Sequence, residues 1–419
     1  MKSRIQENIF NSEYLELLYR ADKKGFEKAF LEIYPEISDQ KISDFWKTRL
    51  EYENKKEVSV NTSKAEILFL LSACAIAGFL MQIPHIFGLN FNDEIFYQKN
   101  IAIIILLGLS IYAFITKATI KPKHIFITVF VFIISAVYIN MLPSDRNSDS
   151  VLLVFIHLPL MLWCLYGLVF IDFDSSNKLK RIDYIKYNGE LAIMVAIILI
   201  AGFILTAVTL GLFSAIDLNI ERFYLDYIVM TGLVSIPIVA TYIIRKYPYV
   251  ANKIAPIIAN IFSPLVLITL IVYLIFILKT DKDPYNDREF LIIFNLMLLG
   301  VTSIVVFSIS GTSINKRQRF NEQILLVLTF ITLIIDIIAV SAIIYRLGEY
   351  GFTPNRTAVL GSNLLIFGNL LLIMIDLYKV NFKDKEIKQV ELTIAKYLPA
   401  YGIWTVFIVF ILPWLFGLK

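Results

Sequence analysis

Asp336 stands inside the apolar stretch ILLVLTFITLIIDIIAVSAIIY, with no other charge in that run. An ionised carboxylate at the centre of a bilayer costs about 2.5–3.5 kcal/mol on insertion scales. Asp336 must therefore carry a proton, find a partner or face a wet cavity. Amides occupy other apolar runs. Asn260, Ser263 and Pro264 interrupt one, where the proline frees a backbone carbonyl, and Asn295, Asn363 and Asn369 fall in two more. Such amides join helices at roughly 0.6–2 kcal/mol each, and alongside Asp336 they also form a candidate polar pocket.

The stretch YGFTPNRTAVLGSN, residues 350–363, brings a guanidinium to the end of a run. Pro354 fixes φ near −65°, and Asn355 is expected to cap the helix that follows. Arg356 is expected to reach inward over the pocket, with Asn363 deeper on the same helix. A direct bond to Asp336 is not expected, since the carboxylate lies ~15 Å of helix rise below the outer end; water or a substrate group would bridge them. Two other loops have the same arrangement: Asn219 precedes Glu221-Arg222, and Asn286 precedes Asp287-Arg288. The recurrence is compatible with a repeated helical hairpin or with topology alone. Arginine in a first helical turn opposes the macrodipole. These arginines either snorkel to headgroup phosphates or pair with Asp217, Glu221, Asp287 or Glu349 in an outer vestibule.

Other chemistries find little footing. There is no P-loop, G-x-S-x-G or H-E-x-x-H. His85, His124 and His157 lie on separate runs without zinc-ligand spacing, and DKDPYNDREF lacks the glycine and ligand positions of an EF-hand. The adjacent carboxylates Asp93 and Glu94 are slender support for transfer of a lipid-linked sugar. No pattern calls for a cofactor, and no basic-aromatic surface points to nucleic acid.

The elements that position these residues follow from composition. Mean hydropathy is +0.70, 58% of the 419 residues are hydrophobic and 18% are charged, which is too few charges for a soluble surface. About eleven runs reach the roughly 20 residues that a bilayer crossing needs. They lie near 65–88, 100–117, 124–142, 151–172, 188–214, 224–243, 255–278, 289–311, 323–346, 357–379 and 398–417. Their continuity, without alternation, predicts an all-α polytopic membrane protein. Lys and Arg cluster on alternate loops, at 117–123, 178–186, 245–253, 316–319 and 379–396. The positive-inside rule then places the N-terminus in the cytoplasm and the C-terminus outside.

Residues 1–64 carry no secretory signal and read as a small cytoplasmic helical module. Ser12, Asp22 and Ser38 or Asp39 are its expected caps. Its apolar faces are expected at Tyr14/Leu17/Leu18, Phe26/Phe30/Ile33 and Ile42/Phe45/Trp46/Leu50. The module would cover the membrane domain or dock a cytoplasmic partner. Residues 65–187 hold the first four or so spans and 188–419 the remaining hairpins. Cys74 and Cys164 lie in apolar runs and predict no disulfide.

LTAVTLGLFSAIDLNIERFYLDYIV, KIAPIIANIFSPLVLITLIVYLI, DPYNDREFLIIFNLMLLG and YGFTPNRTAVLGSNLL resemble the bacterial integral membrane family catalogued as domain of unknown function 4153. The likeness covers about residues 188–415, and LELLYRADKKGFEKAFLEIYPEI is similar to its members as well. The resemblance implies an inner-membrane, multi-helix fold and supplies no activity or catalytic residues. Three classes stay open: a permease-like protein for a small solute or lipid, proton-linked through Asp336; an outer-face enzyme on a lipid-borne substrate, using Asp287, Glu221 or Glu94; and a membrane scaffold or sensor.

Overall fold

Long runs of Ile, Leu, Val and Phe satisfy their backbone groups internally by becoming helices, and every regular element among the described residues is helical. The computed structural model describes residues 1–37, 41–58, 64–86, 93–117, 121–143, 148–214, 219–247, 263–272, 274–275, 285, 288–311 and 319–418. The chain divides into two compact units, Met1–Ile67 and Leu68–Lys419.

The first unit contains α1 (Lys2–Glu7), α2 (Ser12–Ala21), α3 (Lys23–Ile37) and α4 (Lys41–Val58). Asn11, one residue before the expected Ser12, caps α2 by accepting from the Tyr14 backbone N–H at 3.1 Å. Asp22 accepts from the Gly25 N–H and so caps α3, as its position suggests. Ser38 and Asp39 lie outside the described residues. The core gathers Leu15, Leu18, Tyr19, Phe26, Phe30, Ile33, Trp46 and Leu50. Leu17 and Phe45, expected on the buried faces, are 59% and 62% exposed. In α2 the burial phase runs through Leu15, Leu18 and Tyr19, which turns Leu17 outward.

Glu16 fastens this unit. Arg49 from α4 donates to both of its oxygens, at 2.6 and 3.2 Å, and Arg20 adds a bond at 2.9 Å. The bond from Arg49, then that from Arg20, hold the Glu16 carboxyl below its ordinary 4.5. A depressed carboxyl contributes stability that is complete above its unfolded value and is lost as pH falls through the folded one. Glu16→Gln should therefore speed amide hydrogen exchange in Met1–Ile67 at neutral pH, by under about 1 kcal/mol for a partly exposed pair. The difference from wild type should vanish at pH values below the ordinary carboxylate range.

Among the described residues, the second unit has eight helices long and apolar enough to cross a membrane. With α5 (Lys64–Met81) they begin at α6 (Asp93–Ile115), α7 (Pro122–Met141), α8 (Asp149–Phe170) and α9 (Lys178–Ser214). Next comes α10 (Met230–Lys246), entered through Glu221–Phe223 and a π-helical turn at Tyr224–Val229. A shorter apolar helix, Ser263–Val272, lies between α10 and α11 (Arg288–Gly311). The chain ends with α12 (Arg319–Tyr350), α13 (Pro354–Phe382) and α14 (Lys388–Val406), the last running on through Phe407–Ile411 to Leu415. Besides Ser263–Val272, Ala65–Met81 and Met297–Ile309 are shorter apolar helical stretches.

One core packs α5–α8 with α10, and another packs α11–α14 with Ile185 of α9 and Leu270. Polar ties cross the first. Asn100 and Asn140 exchange side-chain bonds at 3.1 and 2.8 Å, and the Tyr166, Tyr187 and Thr241 hydroxyls form a chain at 2.9 and 2.7 Å. Such bonds fix helix register where apolar packing alone is permissive.

Candidate functional site: a polar seam through helices α11–α14

At the α12–α13 turn, Gly351 takes φ +74°, the left-handed backbone suited to glycine just past a helix end. Its N–H bonds the Leu347 carbonyl. The residue before a proline is held extended, so Thr353 (φ −132°, ψ 159°) becomes the N-cap and its hydroxyl accepts from the Arg356 N–H at 3.3 Å. This corrects the expectation for Asn355, which falls inside the first turn and caps nothing.

Arg356 does not reach inward. Its Nη1 donates backward to the Tyr350 and Gly351 carbonyls at 2.9 and 2.8 Å, with the guanidinium 5.4 Å from the Tyr350 ring centroid. The charge that opposes the dipole of α13 is thus spent on the negative end of α12. Arg356→Ala and Asp336→Asn should therefore add in thermal stability to within about 0.5 kcal/mol, because the two share no partner among the described residues. Coupling beyond that in a double-mutant cycle would restore the bridged pocket.

Below this clamp, α13 presents a line of polar residues, of which Asn363, Asn369 and Asp376 are buried. Ser362 accepts from Trp404 Nε1 at 2.9 Å. The indole lies over Gly361, where an added Cβ would meet Trp404 Cη2 at 2.0 Å. Asn363 donates to Asn295 of α11 at 2.8 Å. Those two amides, on separate apolar runs, meet directly.

At the middle of the seam are Asp336, Asn369 and Tyr401. Asp336 lies near the midpoint of Arg319–Tyr350, Asn369 near that of Pro354–Phe382 and Tyr401 near that of Lys388–Leu415. Asn369 donates to the Tyr401 hydroxyl at 3.0 Å. Asp336 is 0% exposed, so it faces neither lipid nor solvent. Neither of its oxygens has a hydrogen-bond partner among the described residues, nor does Asn369 Oδ1. The centre is thus rich in acceptors and short of donors. Leu333, Ile366, Leu370 and Phe367 form the apolar cluster that includes Tyr401.

Toward the lysine-rich end the seam changes character. Asp376, 7% exposed, accepts from Lys379 at 2.7 Å, Thr393 at 2.6 Å and Gln389 at 3.4 Å. Buried Glu391 pairs with Lys186 of α9 at 3.4 Å. Here each carboxylate has its counter-charge.

Of the other expected residues, Glu221 and Arg222 are exposed at the start of the α10 segment. The Asn219 side chain accepts from the Glu221 N–H at 3.1 Å, and Arg222 pairs with Asp226 at 3.7 Å. They stay apart from the seam's hydrogen bonds. Arg288 is the first residue of α11; its side chain, Asn260 and Asp287 lie outside the described residues. The sequence reading did not single out Asp376, Thr393 or Tyr401. No group of three His, Cys, Asp or Glu side chains gathers as metal ligands among the described residues.

No protein-family model matches the chain, and neither a curated protein nor a solved structure matches it.

Proposed function

We propose that this chain is a permease-like membrane protein that moves a small solute with a proton taken up and released at Asp336. The observation that carries the reading is the contrast within one seam. Asp376, 7% exposed, has three donors, whereas Asp336, 0% exposed, has none among the described residues. A buried acceptor left unpaired costs about 1–3 kcal/mol, and its retention suits a group that must change state.

The neighbours suit such a change. Tyr401 accepts from Asn369 and so keeps its own O–H free to donate. When Asp336 is ionised, that O–H can turn toward it. When Asp336 holds a proton, its O–H can donate to Asn369 Oδ1. Each state ties α12, α13 and α14 together differently, a two-state element that a proton can bias. Asn295–Asn363 on one side and Asp376–Thr393 on the other line the approaches to that centre.

In this reading the eight long helices and the three shorter apolar stretches are eleven spans. The basic loops face the cytoplasm with the N-terminal unit, whose role is to dock a protein partner. Kinship with the family named above and an inner-membrane location belong to the same proposal. The test is proteoliposomes loaded with a pH-reporting dye and challenged in turn with amino acids, sugars, nucleosides and organic acids. Wild type should shift internal pH with one class, and Asp336→Asn with none. An equal response from Asp336→Asn would defeat the reading.

A further inference from the structure

An open groove runs between α12 and α13 at their lysine-rich ends. Its volume is about 480 Å³, within the roughly 300–1,000 Å³ of small-molecule sites. Leu326 and Phe330 of α12 and Met374 and Ile375 of α13 line its apolar length. Phe330 and Ile375 are exposed, although both lie inside stretches apolar enough to cross a membrane. Because α12 and α13 run antiparallel, Phe330 and Met374 mark the deep end, while Tyr378, Lys379 and Lys383 close the shallow one.

We propose that this groove holds an anionic phospholipid from the leaflet on the basic side of the membrane. One acyl chain would lie along Leu326, Phe330, Met374 and Ile375, and the phosphate would sit at Lys379 and Lys383. Charge complementarity selects the occupant. The cationic side chains are confined to one end of an otherwise apolar slot, the polarity pattern of one lipid chain and its headgroup. Lys383 is exposed and free to turn toward a phosphate. Lys379 is anchored by Asp376, which Thr393 and Gln389 hold in turn. That anchoring fixes one ammonium at the lip before any lipid arrives, which lowers the ordering cost of binding. Tyr378 adds a phenol at headgroup level, where tyrosine is enriched. The site needs no proton chemistry at Asp336, so it stands or falls apart from the transport reading.

The test uses the full-length, delipidated protein in detergent, with lipid binding followed by native mass spectrometry. Phosphatidylglycerol should bind roughly ten-fold or more tightly than phosphatidylcholine of the same chains, each lysine contributing about five-fold. The preference should weaken with salt. Lys379→Gln/Lys383→Gln should bind both lipids alike, with the unliganded melting temperature checking its fold. Met374→Trp, which fills the deep end and keeps both lysines, should lose phosphatidylglycerol at this site. Equal affinity of wild type for the two lipids would overturn the proposal. So would a preference that survives in the double variant, or phosphatidylglycerol binding displaced by millimolar inorganic phosphate, which would mark a soluble-anion site.

Discussion

Replacing Asp336 by asparagine raises the thermal stability of the purified protein, by about 1–3 kcal/mol for a buried polar group relieved of its unmet demand. Asparagine has nearly the same size, so neither a cavity nor overpacking intervenes. Its amide cannot ionise, and it brings an N–H donor to a centre where Asn369 Oδ1 is an acceptor without a partner among the described residues. A stability gain at the residue proposed to carry activity is the usual mark of a functional group retained against the interest of packing. Scanning fluorimetry in detergent at neutral pH measures it. A clear loss of stability would mean that Asp336 has a structural partner, and the proposed role would fall with it.

The same substitution at Asp376 has the opposite sign. Asp376→Asn should lower stability by roughly 2–3 kcal/mol. Removing one member of a buried pair costs 3–5 kcal/mol, and the figure is discounted here because Lys379 is partly exposed. The amide also brings an N–H toward a cluster whose Lys379, Thr393 and Gln389 groups are all donors. Asp376→Leu should cost at least as much, since it leaves all three without an acceptor. The comparison is internal: two aspartates, one seam, comparable burial, and a difference set by partners alone. If both variants moved melting in the same direction, the distinction drawn from hydrogen bonding would be wrong.

Some of this was legible in the residues. A lone carboxylate in a long apolar run is anomalous whatever the fold, so Asp336 declared itself. Asn295 and Asn363 were readable for the same reason, and the all-helical architecture followed from run length and continuity. The direction of Arg356 was not readable. It depends on Gly351 adopting positive φ and on Thr353 capping, which brings the carbonyls that end α12 within reach of the guanidinium. Asp376 hid at the edge of the lysine-rich segment, where acids and bases look like a solvated loop. Tyr401 hid because an isolated tyrosine in an apolar run needs no explanation. In the N-terminal unit, adjacent apolar residues allowed two helix phases, and only packing chose the one that exposes Leu17 and Phe45.

The central claim is that Asp336 exchanges a proton within the membrane. It is tested most directly by pH jumps on proteoliposomes adsorbed to a solid-supported membrane, with no solute present. Proton binding inside the field should give a transient current in wild type. That current should disappear in Asp336→Asn, which stays folded, and persist in Arg356→Ala, whose side chain bonds the turn carbonyls of Tyr350 and Gly351. A current undiminished in Asp336→Asn would contradict the account.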